Sequence, residues 1–175
     1  VMLAEQTIMN APVLISDATA ADAALAGFVF NVLLIARAPL QLFQAIQTSL
    51  LPHLAGLNAT ESRGEFDRAI RVTVLAIAGF AGAVALGLLV LGPFAMDVLF
   101  GGEFDYGRWG LAIVALGMGC HLAAGTLNQA ALARGRQRAA AGAWVAAAVV
   151  LVVWLVLPVV DDVLLRVEVG YLGAT

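Results

Sequence analysis

The sequence contains no lysine, one cysteine and two histidines among its 175 residues. The single cysteine, Cys120, excludes an intramolecular disulfide, and two histidines alone are too few for a usual zinc site. We therefore expect no metal and no other cofactor. Nine arginines against twelve acidic residues give a net charge of −3. Because nucleic-acid binding requires clustered excess positive charge, nucleic acid is not an expected partner.

Short motifs of the common enzyme classes are also missing. The sequence has no GxxxxGKS/T phosphate loop, no HExxH zinc motif and no GxSxG nucleophile motif. Acidic residues do occur in the segments 101–108 and 159–166, but segments this short leave little room for a catalytic site. We expect no enzymatic activity, although a membrane-embedded glycan-processing enzyme remains one alternative.

Long apolar segments dominate what is present. Hydrophobic residues make up 62% of the chain and the mean hydropathy is +0.97, whereas apolar residues are about half of an average soluble domain. The segments 23–50, 69–91, 109–133 and 139–158 are each long enough to cross a bilayer core of ~30 Å, which needs about 20 helical residues. This pattern predicts an all-α integral membrane fold, a polytopic helix bundle.

Two further apolar stretches lie at the ends of the chain. Residues 1–16 are predicted as a partial span and residues 167–175 as the start of another. The sequence opens without the basic region of a signal peptide. We therefore expect residues 1–175 to be a single transmembrane-domain fragment, with five to six spans, of a larger protein whose remainder is its partner.

Arginine is distributed unevenly among the predicted loops. Six arginines lie in or next to the loops 55–70 and 134–138, and two lie in the other three loops. The positive-inside rule then places both arginine-rich loops in the cytoplasm. Trp109 and Trp154 fall near outer ends of their spans and Trp144 near an inner end, as expected of interfacial anchors. Gly92-Pro93 predicts a break before a short interfacial helix over 94–100.

Polar residues form a stripe on the second span. Its members at i, i+4, i+7 and i+11 share one helical face, and they are Arg37, Gln41, Gln44 and Thr48. Asn31 widens the stripe. An arginine in the middle of a membrane costs ~2.5–3.5 kcal/mol, so it faces a cavity or a partner. Two interpretations stay open: Arg37 contacts an anionic substrate, or it is a structural residue paired with an acid such as Glu5.

A weaker polar pattern lies on the fourth span, where His121 and Asn128 share a face with Gly117. Close helix packing with interhelical hydrogen bonds is the first interpretation, and cavity lining is the second. A proton relay through His121 is a third, with no carboxylate partner evident in the sequence. The third and fifth spans carry few polar side chains and are expected to face lipid, which leaves the polar faces on alternate spans around a hydrated interior.

Several segments resemble a known superfamily. Residues 37–47 (RAPLQLFQAIQ), 49–55 (SLLPHLA) and 65–68 (EFDR) resemble the helix–loop–helix of polysaccharide-export flippases in the multidrug/oligosaccharidyl-lipid/polysaccharide exporter superfamily. Residues 99–104 (LFGGEF) are similar to an outer turn of lipid II flippases. Residues 126–136 (TLNQAALARGR), followed by Trp144, resemble the next hairpin of the polysaccharide branch. The similarity extends over about residues 5–173.

The resemblance implies part of the second lobe of a two-lobe transporter with 12–14 helices in the bacterial cytoplasmic membrane. Its implied function is translocation of a polyprenyl-pyrophosphate-linked oligosaccharide by alternating access, in polysaccharide or lipopolysaccharide biosynthesis. A pyrophosphate requires cationic partners, which Arg37 would supply, and sugars require amides, which Gln41, Gln44 and Asn128 would supply. The lipid tail would stay in the membrane lipid.

Two other functions remain open beside the enzyme. A drug or cation antiporter of the same superfamily is expected to place a carboxylate in its cavity, and Glu5 is the one candidate acid. A structural membrane subunit has no need of an arginine-bearing polar stripe. The flippase is therefore the preferred prediction.

Overall fold

The computed structural model describes residues 2–19, 30, 63–100, 107–157 and 159–175. Within these ranges every regular element is helical, and no strand occurs. The helices are α1 (Met2–Thr19), α2 (Arg63–Phe100), α3 (Arg108–Ala133), α4 (Gln137–Val156) and α5 (Val163–Ala174). The predicted all-α class is confirmed for this part of the chain. The predicted second span, 23–50, lies outside the described residues except for Phe30.

Three of the helices are long and apolar enough to cross a membrane. These are α2 over Gly64–Phe94, α3 over Arg108–Ala133 and α4 over Gln137–Val156. They correspond to the predicted spans 69–91, 109–133 and 139–158. The predicted partial spans at the two ends are helical, as α1 and α5, and α5 has only 12 residues. Helix α5 begins at Val163, four residues before the predicted start at 167.

The prediction that Gly92-Pro93 ends the third span is wrong, because α2 continues through Pro93 to Phe100. Proline removes one backbone hydrogen bond, but membrane helices tolerate this where neighbouring helices pack closely. Gly92 provides that closeness, since a Cβ atom at this position would overlap the side chain of Leu111 on α3. The packing between α2 and α3 therefore overrides the local helix-breaking signal.

The predicted loop boundaries also need correction. Because α2 begins at Arg63, residues 63–70 of the predicted loop 55–70 are helical. The predicted loop 134–138 is reduced to a three-residue turn, because α4 begins at Gln137. Arginine side chains at helix ends carry the same topological information as those in loops, so the positive-inside argument is unaffected.

Helix α3 occupies the middle of the described bundle. It packs against α2, α4 and α5, while α1 packs against α4 and α5. In an apolar 18-residue window of each long helix, the buried share is 61% for α3, 17% for α2 and 28% for α4. Large exposed side chains on α2 and α4 include Leu86, Val90, Val149 and Val150. This exposure agrees with the expectation that the third and fifth spans face lipid.

A glycine turn joins α3 to α4. Gly135 has a positive φ of 69°, which an L side chain rarely adopts. The Gly135 amide donates to the Leu132 carbonyl at 2.9 Å, and the Arg136 amide donates to the Ala131 carbonyl at 2.8 Å. These two bonds are those of a Schellman motif, which satisfies the last carbonyls of a helix. The motif fixes Arg136 at the start of α4.

The two arginine-rich regions lie at the same end of the bundle. Arg134 forms an ion pair with Asp67 near the start of α2, and its guanidinium carbon lies 4.4 Å from the centre of the Phe66 ring. This contact joins the regions 63–71 and 134–138, which the charge distribution predicts to share one side of the membrane. We refer to this end as the arginine end.

Candidate functional site

Most of the predicted site residues cannot be placed. Asn31, Arg37, Gln41, Gln44 and Thr48 lie outside the described residues, so the polar stripe of the second span stays a prediction. His121 and Asn128 are both on α3, the most buried of the three long helices. The site is therefore built outward from these two residues.

His121 meets a carboxylate from another helix. It is buried, and its Nε2 atom lies 3.7 Å from Oε1 of Glu5 on α1. This separation is too long for a hydrogen bond but within the range of an ion pair. The sequence shows no carboxylate partner for His121, but the structure supplies one, because α1 and α3 both pack against α4 and so bring together two residues that are far apart in the chain.

An aromatic ring completes this contact from a third helix. The ring of Trp144 on α4 packs edge-on against His121, with centroids 5.3 Å apart and planes at 71°. Trp144 is 7% exposed. The prediction of an interfacial anchor at Trp144 is therefore wrong, since the indole lies in the core rather than at a surface. Glu5, His121 and Trp144 together are called the polar centre.

His121 lies deep in the bundle, near the middle of α3, whereas the side chain of Glu5 is 37% exposed. The Nδ1 atom of His121 is buried and has no hydrogen-bond partner among the described residues. Ionisable side chains at this depth are costly in a membrane and are usually retained for a function such as proton or ion movement. Glu5 and His121 are thus functional candidates on physical grounds.

A cavity of about 410 Å³ adjoins the polar centre, between α3, α4 and the end of α5. Trp144 forms a wall common to both. The other lining residues in the described part of the chain are Leu127, Asn128, Arg136, Thr175 and seven alanines, which are Ala124, Ala131, Ala139, Ala140, Ala143, Ala147 and Ala174. We call this the Asn128 cavity. Its Arg136 side lies toward the arginine end of the bundle.

Asn128 supplies an amide to this cavity without using it elsewhere. Its Oδ1 atom is buried and has no hydrogen-bond partner among the residues that the structure describes. A buried acceptor left without a partner costs about 1–3 kcal/mol. The interhelical hydrogen bond expected from the packing interpretation is therefore absent at this atom, and cavity lining describes Asn128 better. Gln129 Oε1 is unpartnered in the same sense, but Gln129 does not line the cavity.

Close helix packing, the first interpretation of this face of α3, is found at Gly117, one helical turn before His121. A Cβ atom on Gly117 would overlap the ring of Tyr171 on α5. The Tyr171 hydroxyl donates to the sulfur of Met118 at 3.0 Å, and the Thr175 hydroxyl lies 3.0 Å from the Gly117 carbonyl oxygen. Close approach of α3 and α5 thus closes one side of the Asn128 cavity.

Sequence reasoning missed three contributors to these sites. The sequence pattern places Trp144 at an interface, gives Arg136 a role only in the topology and in the quoted resemblance, and gives no signal for Thr175. Only Glu5 carried a usable signal, because an acid inside an apolar stretch stands out. In the described part of the chain, no group of three or more His, Cys, Asp or Glu side chains is arranged to hold a metal ion.

Comparison of the chain with protein-family models, with curated proteins and with solved structures gave no match. The resemblance to polysaccharide-export flippases therefore rests on the quoted segments of sequence. The structural features that bear on function are the polar centre, the Asn128 cavity and the apolar exterior of α2 and α4.

Proposed function

We propose that the chain is part of a secondary transporter that translocates a lipid-linked oligosaccharide across the bacterial cytoplasmic membrane by alternating access. The observation that carries this proposal is the polar centre. A buried histidine that meets a partly exposed acid among apolar helices is costly to keep in a membrane, and proton or ion movement is the usual function of such residues. A lipid-facing exterior on α2 and α4 is the arrangement that such a transporter requires.

On this proposal the chain contributes five to six spans to the second lobe of a transporter with 12–14 helices. The arginine end, with the regions 55–70 and 134–138, faces the cytoplasm. Arg37 binds the pyrophosphate, and Asn31, Gln41, Gln44 and Thr48 line the path of the sugars. The asymmetry of arginine and the quoted sequence segments support these assignments.

The outer acidic segments favour a transporter over an enzyme. Asp162 accepts hydrogen bonds from the amides of Leu164 and Leu165, at 2.9 and 3.2 Å, and so caps α5. Arg166 donates from its side chain to the Val160 carbonyl at 2.8 Å. Because these charges already stabilise the α4–α5 turn, they have no need of a catalytic explanation.

Substitution of Arg37 in the full-length protein tests the cargo. Arg37→Ala should abolish polysaccharide export at near-normal protein abundance, and Arg37→Lys should retain part of it, because lysine keeps the charge but loses the bidentate geometry. Surface polysaccharide and membrane protein level are measured together. Wild-type export by Arg37→Ala would reject the anion-binding role, and a parallel fall in abundance would indicate a structural arginine.

A drug or cation antiporter is the second candidate, and the Glu5–His121 contact is the observation that favours it. A membrane-embedded carboxylate is what a cation-exchanging site needs. If Glu5→Gln abolishes efflux of a cationic compound and leaves polysaccharide export intact, the second candidate is correct. If Glu5→Gln and His121→Gln instead reduce export while cation efflux is absent from the wild type, the flippase is favoured.

A further inference from the structure

We propose that the Asn128 cavity is a binding site for an anionic phospholipid of the membrane, with the phosphate at Arg136 and a hydrocarbon chain between the alanine walls. This site goes beyond transport of the oligosaccharide and does not depend on it. A volume of about 410 Å³ is within the range of ligand pockets, ~300–1,000 Å³. The chemistry of its lining decides what it holds.

The walls suit a hydrocarbon chain better than a sugar. Seven of the twelve described lining residues are alanines, which offer smooth apolar contact and no hydrogen bonds. The Thr175 hydroxyl already lies 2.9 Å from the Tyr171 carbonyl oxygen and 3.0 Å from that of Gly117. A sugar would leave most of its hydroxyl groups without partners here, at a cost for each buried polar group.

Among the described lining residues, positive charge lies at one edge of the cavity. Arg136 lines the cavity and is exposed, and the structure gives it no ion pair within the described residues, whereas Arg134 is paired with Asp67. Arg136 is also the N-cap residue of α4, where no side chain caps the first turn and no acidic residue lies in it. The free amides and the positive end of the helix dipole add to the guanidinium as an anion site.

The order of groups along the cavity matches a phospholipid. Asn128 is five residues before the end of α3, roughly 8 Å deeper than that end at 1.5 Å per residue. An amide at this depth can donate to an ester carbonyl below the phosphate, and its Oδ1 and Nδ2 atoms are interchangeable by rotation. Basic pockets between helices at the membrane surface bind anionic head groups in this way.

The test measures lipid-dependent thermal stability of the full-length protein in a neutral detergent. Phosphatidylglycerol should raise the melting temperature, and phosphatidylcholine with the same chains should not. Arg136→Gln should weaken the apparent affinity for phosphatidylglycerol by roughly tenfold or more, as expected for one lost charge-assisted hydrogen bond. Arg138→Gln is the matched control, because Arg138 is in the same turn of α4 but does not line the cavity.

Filling the cavity separates chain binding from charge. Ala143→Phe leaves Arg136 in place, should retain the melting temperature measured without lipid, and should lose the response to phosphatidylglycerol. Should Ala143→Phe melt lower without lipid, Ala131→Leu provides a smaller filling on α3 with the same expectation.

Four results would overturn the lipid site. These are an equal response to phosphatidylcholine, an equal loss in Arg136→Gln and Arg138→Gln, the same stabilisation by inorganic phosphate alone, and binding of polyprenyl phosphate in place of phosphatidylglycerol. The last result would assign the cavity to a lipid-linked cargo. The first three results do not bear on export through Arg37, and the fourth would support a lipid-linked cargo, so failure of this site and failure of the transport proposal are distinguishable.

Discussion

Helices α2 and α3 pack against each other, yet they differ in opposite directions in hydropathy and in burial. The apolar window of α2 has a mean hydropathy of 2.6 and is 17% buried, whereas that of α3 has a mean hydropathy of 1.7 and is 61% buried. The more apolar helix is thus the more exposed one. In a soluble protein the order is the reverse, because apolar residues are those most often found inside.

Lipid explains this difference. Hydrocarbon chains solvate a leucine as well as a protein core does, so an apolar side chain gains little by leaving the lipid. Burial instead favours small residues that allow close approach and polar groups that lipid does not tolerate. Gly119 on α3 illustrates the first, since a Cβ atom there would overlap Ala81 of α2. His121 illustrates the second.

The largest expected effect comes from placing a charge on the exposed face of α2. Leu86 is 65% exposed, and Leu86→Arg would set an arginine in the apolar window. Central arginine costs ~2.5–3.5 kcal/mol on insertion scales. The measurement is the amount of full-length protein inserted in the membrane, with Leu86→Ala as the control that removes packing without adding charge. Normal insertion of Leu86→Arg would place this face against protein or water.

An intermediate effect is expected where α2 and α3 touch. Gly119→Leu forces the two helices apart at Ala81, and overpacking typically costs ~1–3 kcal/mol. Gly82→Leu is the matched control on α2, because a Cβ atom at Gly82 would meet no atom of the described residues within 4 Å. Thermal unfolding in detergent compares the two. Equal melting temperatures for both variants would show that the α2–α3 contact does not depend on the small residue at Gly119.

The smallest effect is expected at the arginine end, where water is close. Asp67→Asn removes the anion of an ion pair whose side chains are 36% and 58% exposed. Exposed pairs contribute ~0.2–1 kcal/mol and are screened by salt, so the loss should shrink in high salt. Glu65→Gln is the control, because no ion pair of Glu65 occurs among the described residues. If the loss of stability persists in high salt, the ion pair is not screened by solvent ions, and the expectation of a weak surface contact is wrong.

Prediction from sequence succeeded where the signal is local. A run of about 20 apolar residues forms a helix because its backbone has no other partner in lipid. The predicted bounds of α3 and α4 are therefore within two residues of those observed, whereas α2 extends beyond its predicted range 69–91 at both ends. The helix-breaking signal at Pro93 failed for the opposite reason. The signal comes from Pro93 and its neighbours in the chain, whereas the contact that opposes it joins Gly92 of α2 to Leu111 of another helix.

The sequence by itself determined the solvent of this protein, the positions of its long helices and the excess of arginine in two regions, because each depends on residues close together in the chain. Only the tertiary structure decided what the polar residues contact. The meeting of Glu5, His121 and Trp144 depends on three helices packing side by side, and the Asn128 cavity depends on how closely α5 approaches α3. Such contacts follow from packing geometry, which no periodicity in a single helix specifies.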